Sequence, residues 1–188
     1  IIGVVADAIR DHRLSHYVLD PVMVATSGDL LIERDAVAAI GSLLVPLAEL
    51  VTPNADEAAV MTGQSLASLD DMRGAAEAIH AMGARAVLIK GGHLEGPDPG
   101  QVVDLLFDGE FTEYRRERIV TTSTHGTGCT LSAAVTAELA KGSSLRDAVA
   151  AAVAFVHEAI RTAPALGRGS GPLNHFAGND PTNSLTSA

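Results

Sequence analysis

The only cysteine of the 188-residue chain, Cys129, lies in the run STHGTGCTLSAA (residues 123–134), behind Gly126 and Gly128 and ahead of an Ala-rich segment. Glycines at these positions carry no Cβ, so the backbone can approach an anion closely. Where a helix begins here, the amides from Gly126 to Cys129 lack intrahelical acceptors and sit at the positive end of the helix dipole. A phosphate fits such a pocket. A plainer reading fits equally: the glycines merely turn the chain into a helix, and the run is no Walker A loop because no Gly-Lys-Ser/Thr follows. Cys129 has three readings of its own. It is a base for a substrate hydroxyl, since helix N-termini favour thiolates, a covalent nucleophile, or an inert small hydrophobe. A nucleophile needs a histidine and an orienting acid; His125 is near in sequence, and no acid partner can be named.

Three further groups could do chemistry, each after a short apolar run. They are Asp20 in LDPVM, Asn54 with Glu57 in VTPNADE, and Lys90 in VLIKGGH. Lysine is rare here, with only Lys90 and Lys141 against eleven arginines, so a lysine before two glycines stands out. Two acids, an amide, a lysine and a Gly-rich helix start suit a magnesium-bound polyphosphate: carboxylates for the ion, an ammonium for phosphate charge, backbone amides for oxygens. Each residue also has a structural reading. Asn54 and Glu57 have capping-box spacing, Asp20 before Pro21 can initiate a turn, and Lys90 can be a solvated strand-end lysine. His93, His125, His157 and His175 lack metal-ligand spacing, so no zinc site is expected.

The elements that must position these residues alternate. IIGVVADAIRDHR has an apolar helical face at Ile2, Val5, Ala6 and Ile9, and HYVLDPV is a strand stopped by Pro21. IERDAVAAIGSLLVPL is helical until Pro46, AELVTPN a buried strand, and NADEAAVMTG a helix between Asn54 and Gly63. SLDDMRGAAEAIHAMG is a helix opened by Ser68 with Asp71, and ARAVLIKGG a strand. QVVDLLFDGEFTEYRRERI reads as a hairpin turning at Asp108-Gly109. GTGCTLSAAVTAELAKG is a helix with Leu131, Val135 and Leu139 on one face. SLRDAVAAAVAFVHEAIRTA is another, with Leu145, Val149, Val153 and Ile160 in a stripe. Such alternation predicts βαβ units and a mainly parallel sheet covered on both faces. Ligands of such sheets gather beyond the carboxyl ends of the strands, where Asp20, Asn54 and Lys90 fall.

Composition bounds the rest. A formal charge of −10 argues against nucleic-acid and anionic-membrane partners, and one cysteine excludes an internal disulfide. No unbroken apolar stretch is long enough for a transmembrane helix, and no secretory signal is visible, so a cytoplasmic protein is the expectation. One domain portion over residues 1–177 with a loose polar tail at 178–188 is expected. Ile1 is not an initiator methionine, and the opening helix reads as mid-fold, so a portion of something longer is expected.

The stretches LDPVMVATSGDLLI, VTPNADEAAVMTG, VLIKGGH, STHGTGCTLSAA and GRGSGPLNHF together resemble the hydroxymethylpyrimidine/phosphomethylpyrimidine kinases of the ribokinase-like superfamily, nearly throughout the chain apart from the tail. The resemblance implies a three-layer α/β/α fold, N-terminally incomplete here because family members carry a Gly-rich strand and loop plus further βα units before this point. It implies ATP- and magnesium-dependent phosphorylation of 4-amino-5-hydroxymethyl-2-methylpyrimidine and then of its monophosphate. Cys129 would assist deprotonation of the hydroxymethyl group, and Gly126, Thr127 and Gly128 would form the anion hole. Lys90 and Thr122 would contact ATP phosphates. Asn54 and Glu57 match the family's Asn-x-x-Glu magnesium motif, with Asp20 beside it, and Val22 would lie near the pyrimidine. Sugar kinases of the superfamily usually place aspartate where Cys129 stands; cysteine there looks like the pyrimidine branch and some related vitamin kinases. Small-molecule pyrimidine and ATP are the implied partners, and a homodimer is compatible. The alternatives are a pyridoxal kinase of the same superfamily, a truncated non-catalytic binding fragment, and a Cys-dependent acyl-transfer enzyme.

Overall fold

The computed structural model describes residues 1–25, 29–92, 99–164, 166 and 169–178. They fall into two compact units, Ile1–Arg118 and Ile119–Ala188, each described by itself. The expected loose tail at 178–188 lies, beyond Gly178, outside the described residues.

The first unit opens with α1 (Ile2–Asp11), which buries Ala6 and Ile9, and leads to β1 (Val18–Leu19). Then come α2 (Arg34–Ala39), β2 (Leu50–Val51), α3 (Ala55–Thr62), α4 (Leu69–Ala81), β3 (Val87–Ile89), β4 (Gln101–Phe107) and β5 (Phe111–Glu117). The helical winding after α2 passes through Pro46 where the sequence predicts a stop. It widens to a π-helical turn over Ile40–Leu44 and tightens to a 3-10 turn over Val45–Leu47, whose start needs no N–H from proline.

The five strands lie in the order β1-β2-β3-β4-β5. β1, β2 and β3 pair in parallel, with Val18 opposite Leu50 and Val51 opposite Val87. The hairpin adds two antiparallel pairings, Leu88 opposite Leu106 and Val103 opposite Arg115 among them. The sheet is therefore mixed: its parallel part is β1–β3, and the hairpin closes one edge. Successive strand residues face opposite ways. Val51, Val87, Ile89 and Leu105 join one core with Ala6, Ile9, Met72, Ala75 and Ile79 from the helices. Leu50, Leu88 and Leu106, on the other face, are buried as well. Burial on both faces accounts for the unbroken apolar runs in β2 and β3.

The second unit holds α5 (Thr127–Ala140) and α6 (Leu145–Arg161), which pack against each other. Leu131, Val135 and Leu139 are buried on α5, as the four-residue recurrence predicts. On α6 the buried stripe is Ala148, Val149, Ala152, Val153, Val156 and Ala159, while Leu145 and Ile160 lie at its half-buried ends. Among the described residues no helix is long and apolar enough to cross a membrane.

Candidate active site

Three parallel strands of the first unit end in polar residues, and these ends meet. Asp20 follows β1, Thr52-Pro53-Asn54 follows β2, and Lys90 follows β3. Asn54 and Lys90 extend the β2–β3 pairing as an isolated parallel bridge, and Lys90 donates its backbone N–H to the Pro53 carbonyl at 2.9 Å. Nζ of Lys90 then lies 2.8 Å from Oδ1 of Asp20 and 3.9 Å from Oε2 of Glu57. Thr52, wholly buried, donates its hydroxyl to the same Asp20 oxygen at 3.1 Å.

Asn54 and Glu57 form the capping box that their spacing predicts. The Glu57 amide donates to Oδ1 of Asn54, and the Asn54 amide donates to Oε2 of Glu57, both at 2.8 Å. Such a cap is worth about 1 kcal/mol. The two roles foreseen for the pair overlap in space, because the box that fixes the start of α3 also aims a carboxylate at the strand ends. Glu57 is only 3% exposed. Burial pushes its carboxyl above the ordinary range, opposed by the Asn54 amide and the Lys90 ammonium, while the charge of Asp20 pushes the same way as burial. Its other oxygen accepts a long hydrogen bond from the Met23 amide at 3.4 Å, which ties the segment after β1 to the site. Val22, in that segment, is half exposed next to buried Met23.

A magnesium ion fits these residues through water. Among the described residues no group of three His, Cys, Asp or Glu side chains comes together to ligate a metal directly. Both Glu57 oxygens and Oδ1 of Asp20 already accept hydrogen bonds. Magnesium keeps several of its waters, and a carboxylate has lone pairs left for them.

The remaining predicted residues belong to the second unit. The chain enters α5 through Gly126, whose φ of +81° lies in the left-handed region that glycine adopts without strain. Thr127 turns its hydroxyl back onto the Thr124 carbonyl at 2.7 Å. The first-turn amides of Gly128 and Cys129 have no intrahelical acceptor at such a helix start. Cys129 is a free thiol and is exposed at this helix start. Thr122 is exposed too, and its carbonyl accepts from the amides of Thr124 and Gly171. His125 donates its amide to the Gly171 carbonyl at 3.3 Å, so the GSGP segment braces the loop before α5. His93 lies outside the described residues.

The structure thus brings together Asp20, Asn54, Glu57 and Lys90 in one unit, and in the other places Gly126, Thr127, Gly128 and Cys129 at the start of α5, with Thr122 in the loop that leads to it. Sequence reasoning passed over Thr52, which steadies Asp20, and Asp104, which accepts from the Gly91 amide at 3.0 Å. Asp104 had a signal: an acid inside the apolar run of QVVDLLF.

The family model for phosphomethylpyrimidine kinase matches residues 1–174. The chain is 51% identical over 179 residues to the hydroxymethylpyrimidine/phosphomethylpyrimidine kinase of Rhizobium meliloti, covering 93% of this chain and 66% of that protein. Among solved structures, the ADP complex of Bacillus subtilis pyridoxal kinase matches with a TM-score of 0.84 at 40% identity, over 94% of this chain and 65% of that one. The phosphomethylpyrimidine kinase of Clostridium difficile matches with a TM-score of 0.73 at 35% identity, over 85% of this chain and 64% of that one. These likenesses show the ribokinase-like α/β fold. The chain spans about two thirds of the length of the proteins it matches.

Proposed function

The chain belongs to the phosphomethylpyrimidine kinase family, and from that membership we propose that the protein moves the terminal phosphoryl group of ATP onto 4-amino-5-hydroxymethyl-2-methylpyrimidine. A second transfer converts the monophosphate to the diphosphate. The observation that carries this reading is that the Lys90 ammonium lies within 4 Å of both the Asp20 and the Glu57 carboxylates where the parallel strands end.

In the first transfer the hydroxymethyl oxygen forms a bond to the γ-phosphorus, and the bond from that phosphorus to the bridging oxygen of ADP breaks. Cys129 accepts the hydroxyl proton, a role open to an exposed group at a helix start. The amides at Gly126 and Gly128 face the charge that spreads over the phosphoryl oxygens, and that of Thr127, which donates to the Thr124 carbonyl at 3.3 Å, exchanges this partner for a phosphoryl oxygen. Lys90, with Thr122, holds ATP phosphates. Asp20, Asn54 and Glu57 hold a hydrated magnesium ion, which when bound neutralises phosphate charge. Val22 sits against the pyrimidine. The protein acts as a homodimer or a monomer, which sedimentation at working concentration distinguishes.

An assay coupling ADP release to the hydroxymethylpyrimidine, on full-length protein, tests the assignment. Substrate-dependent ADP is the expected result, and none at saturating ATP would count decisively against it. A second reading, pyridoxal phosphorylation, is favoured by the higher TM-score to the Bacillus subtilis pyridoxal kinase than to the Clostridium difficile phosphomethylpyrimidine kinase. Turnover of the two acceptors side by side decides: a higher kcat/KM for pyridoxal would replace the first reading with the second.

A further inference from the structure

Asp104 sits in the middle of β4 with no exposure to solvent. Its Oδ1 accepts from the Gly91 amide at 3.0 Å. Its Oδ2 lies 2.6 Å from Nη1 of Arg116, a close ion pair without hydrogen-bond alignment. Arg116 pairs with Val102 on the sheet, and Asp104 with Tyr114, so acid and base meet diagonally across the hairpin. From the end of the same strand, Arg118 donates Nη1 to the Gly92 carbonyl at 2.9 Å. The hairpin therefore grips the backbone just after Lys90 by one amide and one carbonyl. The fit at Gly91 is close: a Cβ there would stand 1.9 Å from the Val103 carbonyl oxygen.

A buried ion pair is a poor way to gain stability, since apolar residues of similar volume often do as well or better. What an apolar residue cannot do at position 104 is accept the Gly91 N–H. We propose that Asp104 is a positioning residue for Lys90: it fixes the Lys90–Gly92 backbone so that the Lys90 ammonium is aimed at nucleotide phosphate. This rests on the phosphate-binding reading of Lys90 given above. Asp104 does not itself touch ATP; Arg116 balances its charge.

The test compares full-length wild type with Asp104→Asn and Asp104→Ala, by calorimetric ATP binding and by steady-state kinetics. Asparagine keeps an oxygen for the Gly91 N–H, whereas alanine removes it. A hydrogen bond to a charged group is strong enough that Asp104→Ala should raise the ATP Kd and KM about tenfold or more. Asp104→Asn should stay within a few-fold of wild type, and the pyrimidine KM should hardly change in either. ATP affinity unchanged in Asp104→Ala overturns the proposal, as does an equal rise in both KM values. Both variants leave Arg116 unbalanced; where that prevents folding, the same pair is compared in an Arg116→Met background, and hydrogen exchange at the Gly91 amide decides. Protection in both wild type and Asp104→Asn supports the proposal, and free exchange in wild type defeats it. Wild type that binds ATP without phosphorylating the pyrimidine ends the substrate assignment alone. Wild type that binds no ATP ends this proposal with it.

Discussion

Nζ of Lys90 lies 2.8 Å from Oδ1 of Asp20, although 70 residues of chain separate them. Neither is fully buried, at 14% and 15% side-chain exposure, and Glu57 beside them is nearly closed off. One ammonium thus stands between two carboxylates at the ends of parallel strands. That leaves one surplus negative charge when all three are ionised, a local field that a divalent cation would relieve and that Lys90 alone does not.

Removing the ammonium should therefore cost both stability and nucleotide affinity. Lys90→Met leaves two carboxylates facing each other without their shared donor, so a loss of about 1–3 kcal/mol in denaturant unfolding is expected. Adding Asp20→Asn should recover part of it. Strictly additive single and double variants would show that the pair contributes no coupling. In kinetics, Lys90→Met should raise the ATP KM more than the pyrimidine KM.

Glu57 makes stability depend on pH in a definite direction. Burial raises its carboxyl above the reference value of 4.5, so the folded chain holds a proton that the unfolded chain releases. Its contribution is most favourable below 4.5 and is lost as pH rises through the folded value. Glu57→Gln keeps an oxygen for the Asn54 amide and removes the charge. The Tm of Glu57→Gln relative to wild type should climb from pH 4 to pH 7; a flat difference would show that burial does not perturb this acid. Activity should fall roughly 10–100-fold, as for groups that support a metal site.

Cys129→Ala should lower kcat by roughly 10²–10⁴-fold, the usual worth of general-base assistance, with ATP binding nearly intact. Cys129→Asp should keep more activity than alanine, because a carboxylate can also take the proton. A kcat for alanine within a few-fold of wild type would reduce Cys129 to a bystander. Stoichiometric acylation of the thiol in mass spectra would revive the acyl-transfer reading.

Two glycines near the site should fail differently when changed to alanine. At Gly126 no atom lies within 4 Å of an added Cβ, so only the left-handed φ is penalised, about 1–2 kcal/mol. At Gly91 the Cβ meets the Val103 carbonyl oxygen, and overpacking against backbone should cost about 3 kcal/mol or more. Thermal unfolding ranks the two; equal Tm losses would contradict the distinction.

The sequence alone determined the elements and the residue types at their ends. Apolar runs bounded by Pro21, Pro53 and Gly91 marked the parallel strands, because a strand buried on both faces needs side chains of that kind at every position. Asn54 with Glu57, and Ser68 with Asp71, marked two helix starts, because a cap bonds within three residues and its geometry is local. The tertiary structure decided what those local rules cannot reach. It placed Asp20 against Lys90 and Thr52, took the winding through Pro46, and made the sheet mixed by adding the hairpin. It also gave Asp104 its partners, the Gly91 amide and Arg116. Apart from the winding through Pro46, these follow from strand order and register, which are set by packing between segments far apart in the chain and leave no periodic trace along it.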